Sequence, residues 1–186
     1  MRSKAIHTGE ISMVIPAAPE AARRVLRICA FAAFAAAGAQ LAVRLPFTPV
    51  PLTLQTLFAV LAGITLGPRD GFLAMAAYLG AGLAGAPVFA GFAFGPWVLL
   101  GPTGGYLAAF PAAALVSGVV AGRLGRGRAA VALSAIAGSC VILLGGSLYL
   151  SLFPGISLGG ALALGAAPFV AGELVKAAVA ALAAGR

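Results

Sequence analysis

Residues 168–186 read PFVAGELVKAAVAALAAGR, an apolar helical stretch broken only by Glu173 and Lys176 before it closes on Arg186. An ionised side chain at the centre of a bilayer costs about 2.5–3.5 kcal/mol on insertion scales. An acid and a base kept three residues apart in such a run mark a functional position in a membrane helix. The rest of the chain supports that setting. Of its 186 residues, 62% are hydrophobic and 9% are charged, where a soluble domain carries roughly 25% charged residues. The composition is that of an integral membrane protein.

Working outward from this stretch, six apolar segments follow one another, at about 26–43, 52–67, 71–84, 103–122, 129–150 and 163–184. The third is short for a hydrocarbon core near 30 Å, which needs about 20 helical residues. None alternates with period two, and only helices and closed barrels satisfy their backbone in lipid. The expected fold is therefore an all-α integral membrane protein of six transmembrane helices in a single bundle. Residues 1–22 form a mixed, Pro-containing N-terminal tail, and 23–186 form one membrane domain. Arg23 and Arg24 precede the first apolar run as in a signal peptide, but the later spans favour a retained helix.

The net charge of +8 does not form one basic face. With six spans, Arg2, Lys4, Arg23, Arg24, Arg27, Arg69, Arg123, Arg126, Arg128 and Arg186 share one side and Arg44 stands alone on the other. Basic residues concentrate on the cytoplasmic side. This predicts that both termini are cytoplasmic in a bacterial inner membrane, and it argues against nucleic acid as a partner. The three external connections, 44–51, 85–102 and 151–162, are rich in Pro, Gly and aromatic residues and nearly uncharged. Such segments either fold back over a cavity or dip into the interface as aromatic anchors.

Several chemistries are excluded. Only two lysines are present, neither in a Gly-x-x-x-x-Gly context, so the chain has no phosphate-binding loop. One histidine, His7 in the tail, rules out a multi-histidine metal site, and four scattered acids leave no carboxylate pair for acid–base work. Cys29 and Cys140 lie in apolar runs and read as small buried hydrophobes. No enzyme, metal or cofactor is expected; what remains is binding.

Glu173 and Lys176 lie on one helix face, about 4.5 Å apart along the axis. Together they offer acceptor oxygens and ammonium donors to a neutral polar group bearing both N–H and C=O, such as a cyclic urea. A self-satisfied ion pair in a non-transport membrane scaffold and proton coupling through Glu173 are the alternatives. Small residues four apart, Ala32/Ala36, Ala33/Ala37, Gly63/Gly67 and Gly118/Gly122, allow close helix approach. The alanine face of the first helix suits a partner subunit.

The string Pro46-Phe47-Thr48-Pro49-Val50-Pro51-Leu52-Thr53-Leu54-Gln55-Thr56-Leu57 resembles the BioY family, the biotin-specific substrate-capture subunits of energy-coupling-factor transporters. The stretches Leu66-Gly67-Pro68-Arg69, Tyr78 to Gly91 and Gly101-Pro102-Thr103-Gly104-Gly105-Tyr106 continue the likeness in order, over about 25–185. The resemblance implies a six-helix vitamin-binding subunit with an externally open pocket. It also implies a transmembrane coupling subunit and two ATP-binding subunits as partners, with Ala32 and Ala36 on the coupling surface. An acid and a lysine on the last helix contact the vitamin in that family, which points to Glu173 and Lys176. This chain departs in carrying Ala171-Gly172-Glu173 where Pro-Gly-Asp is usual, and in a more aromatic run at 91–97.

For the rest of the pocket, Gln55 is an amide able to donate and accept, and Tyr78, Trp97 and Tyr106 offer apolar rings with polar tips. Thr103 to Gly105 is placed to bring backbone N–H groups to a carboxylate. Arg44 is read either as the attractor of an anionic tail or as a snorkelling helix end. A different vitamin is the competing ligand within the same transporter class.

Overall fold

The computed structural model describes residues 19–186; His7 and the rest of the first eighteen residues lie outside it. The described chain is mainly helical, with one two-residue antiparallel pairing and an isolated bridge between Phe89 and Ala93. Its elements are α1 (Glu20–Gln40), β1 (Ala42–Val43), β2 (Leu52–Thr53), α2 (Gln55–Leu66), α3 (Pro68–Leu83), α4 (Trp97–Leu100), α5 (Gly104–Leu124), α6 (Arg128–Leu150), α7 (Leu158–Gly165) and α8 (Val170–Ala184). The expected all-helical bundle is present. Among the described residues, α5, α6 and the continuous 158–184 run are long and apolar enough to cross a membrane, and α2 is a shorter apolar helix.

Several boundaries differ from the hydropathy reading, each for a local reason. The first helix stops at Gln40 and the second starts at Gln55, because Ala42–Val43 pairs with Leu52–Thr53 and turns the intervening segment into a hairpin. The gap between the second and third apolar runs shrinks to one residue. Gly67 takes φ 88°, a left-handed conformation open to glycine, and Pro68 already begins α3. Proline fits the first helical position, where its missing N–H is not needed, and Asp70 faces the helix N-terminus favourably. The last apolar run is not one helix. A 3-10 turn at Ala167–Phe169 divides α7 from α8 at Pro168, which cannot donate the backbone bond a continuous helix needs.

The centre of the bundle is α5, packed on α6, α2 and α3. Close approach depends on particular glycines. A side chain at Gly63 would strike the Ala114 carbonyl on α5, and one at Gly118 would strike Pro68 and Gly63. Their sequence partners Gly67 and Gly122 face open space, so only one member of each small-residue pair does the packing. The largest fully buried side chains are Tyr78, Phe89, Phe110, Met75 and Ile142. Leu133, Leu144 and Leu148 on α6 and Leu174, Val175 and Leu182 on α8 point outward, as apolar residues do on helices that meet lipid rather than water. Cys29 on α1 and Cys140 on α6 correct the expectation of burial: both are exposed on their helices, where an apolar surround also suits a thiol.

The arginines gather at one end. Arg24 on α1 makes a two-pronged ion pair with Asp70 at the start of α3, and the Arg186 N–H donates to the Arg126 carbonyl at 2.8 Å. Arg44 sits at the opposite end, with the hairpin and the 85–102 connection.

Candidate functional site

A cavity of about 650 Å³ opens at the Arg44 end of the bundle. Its floor comes from α2, α5, α6 and α8, and its walls from the 44–51 hairpin and the 85–102 connection. Such a volume lies in the range of small-molecule sites.

Glu173 and Lys176 stand at the floor, 6% and 7% exposed. The Pro168 break starts α8 beside the cavity, so the first turns of this helix turn Phe169, Glu173 and Lys176 toward it. Lys176 Nζ donates to Glu173 Oε1 and to the Thr56 hydroxyl, both at 2.7 Å. Thr56 Oγ1 donates to Glu173 Oε1 at 2.8 Å, and Ser139 Oγ donates to Oε2 at 2.7 Å. Three helices thus converge on one carboxylate. A carboxylate oxygen has two lone pairs and an ammonium three N–H donors. After these contacts, Oε2 keeps one acceptor site and Nζ one donor. The pair is electrically neutral yet retains one acceptor beside one donor, which matches a neutral group presenting N–H next to C=O.

A second polar chain runs up the wall. The Thr53 hydroxyl donates to Gln55 Oε1 at 3.1 Å, Gln55 Nε2 donates to the Tyr78 hydroxyl, and that hydroxyl donates to the Val88 carbonyl at 3.1 Å. It ties the hairpin, α2, α3 and the base of the 85–102 connection together. Gln55 lines the cavity; Tyr78 does not, but stands behind it, 1% exposed, with its ring edge-on to Phe89 and stacked near Phe110. Tyr106 presents its ring to the cavity while its hydroxyl donates to the Gly165 carbonyl at 2.8 Å. Side chains at Gly146 or Gly165 would collide with this tyrosine.

The BioY family model matches residues 7–186. The chain belongs to the BioY family. It is similar to a Pyrococcus horikoshii protein described as "Probable biotin transporter BioY", 44% identical over 89% of this chain and 96% of the relative. It is also similar to the "Biotin transporter BioY" of Thermotoga maritima, 38% identical over 86% and 92%. Among solved structures it resembles the crystal structure of the S-component for biotin from an ECF-type ABC transporter. That likeness has a TM-score of 0.82 and 25% identity, and covers 90% of this chain and 92% of that one.

In this BioY-family chain, Gln55, Thr103, Tyr106, Glu173 and Lys176 surround one cavity, with Tyr78 as their support. Trp97 is not brought to it. The residue is 60% exposed on α4, its ring edge against Phe94, and Val98, the next residue on the same short helix, lines the cavity instead. The 85–102 connection therefore does two things with different residues. Phe89, Ala90, Gly91 and Ala93 cover the cavity, while Phe92, Phe94 and Trp97 face outward. Thr103 lines the cavity, but Gly104 and Gly105 do not, and the Gly104 N–H is already donated to the Gly101 carbonyl at 2.9 Å. On α1, Ala32 and Ala36 are half-buried against the core, and the adjacent Ala33 and Ala37 carry the exposed small face.

Nothing in the sequence alone singles out Thr56 or Ser139. Hydroxyls in apolar helices are common and cheap, since they can bond back to their own helix. The usable signal for Thr56 was its place beside Gln55 in the Pro-rich string.

Proposed function

We propose that this chain is a biotin-binding membrane subunit of a vitamin uptake transporter, capturing biotin from the external side for import powered by partner ATPases. The observation that carries the reading is the neutral Glu173–Lys176 pair at the floor of the cavity, with one acceptor and one donor left over. Biotin's ureido ring offers N–H and C=O side by side. Its ring sulfur and alkyl tail suit the apolar surfaces of Phe89, Tyr106, Phe110 and Ile142.

In this reading six helical segments cross the bilayer, with α7 and α8 together as the last. The arginine end faces the cytoplasm, and with it the N-terminal tail and the C-terminus. A transmembrane coupling subunit docks along α1 around Ala32 and Ala36, including the more exposed Ala33 and Ala37, and two ATP-binding subunits supply the energy. No cofactor is needed in the chain itself.

Biotin uptake in cells expressing the chain with and without candidate ATPase partners tests the transport claim. ATP-dependent accumulation only with partners is expected. Equal accumulation without them would remove the coupled mechanism, and competition by thiamine or riboflavin would remove the assignment to biotin.

A further inference from the structure

Three charged side chains line the cavity: Glu173, Lys176 and Arg44. The first two neutralise each other at the floor. Arg44 has no acidic partner among the described residues, whose ion pairs are Arg24–Asp70 and Lys176–Glu173. The cavity therefore carries one uncompensated positive charge, placed at its mouth.

The position of Arg44 is not that of a snorkelling helix end. Helix α1 stops at Gln40, and Arg44 follows strand β1 on the hairpin that forms one wall. Its guanidinium reaches toward the opposite wall: Nη2 lies 3.8 Å from the point where a side chain would begin on Gly91. Gly91 and Phe92 form a left-handed turn, φ 68° and 58°, and Phe92 is the one non-glycine residue with positive φ among those described. That turn is held by Gln40, whose Nε2 donates to the Phe89 carbonyl at 3.1 Å and whose Oε1 accepts the Phe92 N–H at 3.1 Å. The guanidinium thus faces a fixed wall across the entrance. The backbone alternative for an anion, Gly104 and Gly105, does not line the cavity, and the Gly104 N–H is already donated to the Gly101 carbonyl at 2.9 Å.

We infer that Arg44 is the carboxylate-binding residue of this site, so that the ligand lies with a neutral polar ring at Glu173–Lys176 and an anionic tail at the mouth. The inference rests on the proposed ligand and adds a specificity-determining residue to it. Arginine presents a planar fork of donors that fits a carboxylate two-pronged, whereas lysine offers a point charge. Because the mouth is open to water, the contribution is partly screened and falls with salt.

The test compares dissociation constants of biotin and biotin methyl ester for the full-length protein in detergent, at low and high salt. The wild type is expected to prefer biotin by about tenfold at low salt, in the lower range for a charged hydrogen bond. Arg44→Gln is expected to abolish that preference while binding the ester as the wild type does, and Arg44→Lys to restore part of it. Retained preference in Arg44→Gln would overturn the inference, as would an equal loss for both ligands, which marks a merely structural arginine. A wild type that binds neither ligand saturably would instead overturn the biotin reading itself.

Discussion

Lys176 Nζ lies 2.7 Å from Glu173 Oε1, one helical turn away, with both side chains almost wholly buried at the cavity floor. Breaking a buried ion pair from one side leaves the other charge uncompensated, at a cost of about 3–5 kcal/mol. Lys176→Ala should lower thermal stability in detergent by a margin of that order. Glu173→Gln/Lys176→Met, which removes both charges, should recover much of the stability, since a paired deletion is often close to neutral. Recovery of folding without recovery of biotin binding is the expected pattern, read by thermal unfolding and radioligand binding on the same samples.

Ser139 touches Glu173 Oε2 from a different helix than Thr56, which touches Oε1. Ser139→Ala removes one donor from a buried carboxylate and should cost about 1–3 kcal/mol of stability or affinity. Because the carboxylate is then held from one side only, its aim at the ligand should loosen. Biotin dissociation should be faster in stopped-flow release, with little change in association.

Tyr78 carries its hydroxyl between Gln55 and the Val88 carbonyl. Tyr78→Phe keeps the ring against Phe89 and Phe110 but leaves the buried Gln55 amide without its acceptor and the part-buried Val88 carbonyl without its donor. Melting should shift by an amount equivalent to about 1–3 kcal/mol, with biotin affinity falling because the cavity wall is less well held.

How much of this was legible in the sequence depended on what each feature costs. Charge in an apolar helix is expensive, so Glu173 and Lys176 stood out, and the arginines separated the two ends of the bundle. Hydroxyls cost little, so Thr56 and Ser139 did not. Trp97 reads in the sequence as an aromatic ring in an outer loop, yet the turn of α4 gives the cavity to Val98; the direction a short helix faces depends on packing that the local sequence does not encode. Pro168 was visible, and the break it makes in the last apolar run decides that Phe169 and Glu173 reach the cavity. Hydropathy merges the two halves because both are equally apolar.

The glycines give a contrast that checks the helix packing. Gly63→Ala places a methyl group against the Ala114 carbonyl, while Gly122→Ala points into open space. Overpacking typically costs about 1–3 kcal/mol, whereas replacing an unhindered helical glycine gains up to about 1 kcal/mol. Melting temperatures should move in opposite directions, down for Gly63→Ala and up or unchanged for Gly122→Ala.

At the arginine end, Arg24 holds the Asp70 carboxyl below its ordinary value of 3.8, chiefly by hydrogen bonding, against a smaller opposing effect of burial. A carboxyl group depressed in the folded state adds stability above its unfolded value, and that stability is lost as pH falls through the folded value. The wild type should therefore lose stability on acidification below about pH 4, and Arg24→Gln should flatten that part of the profile. Melting curves between pH 3 and 6 read the difference, which should be small because the pair is partly exposed.

The most direct test of the central claim is equilibrium binding of radiolabelled biotin to the purified chain, alongside Lys176→Ala and the outward-facing control Leu174→Ala. Saturable binding to a single site in the wild type and the control, absent in Lys176→Ala, is the predicted result. No saturable binding, or binding that survives Lys176→Ala unchanged, would contradict the assignment of this pair to the ligand.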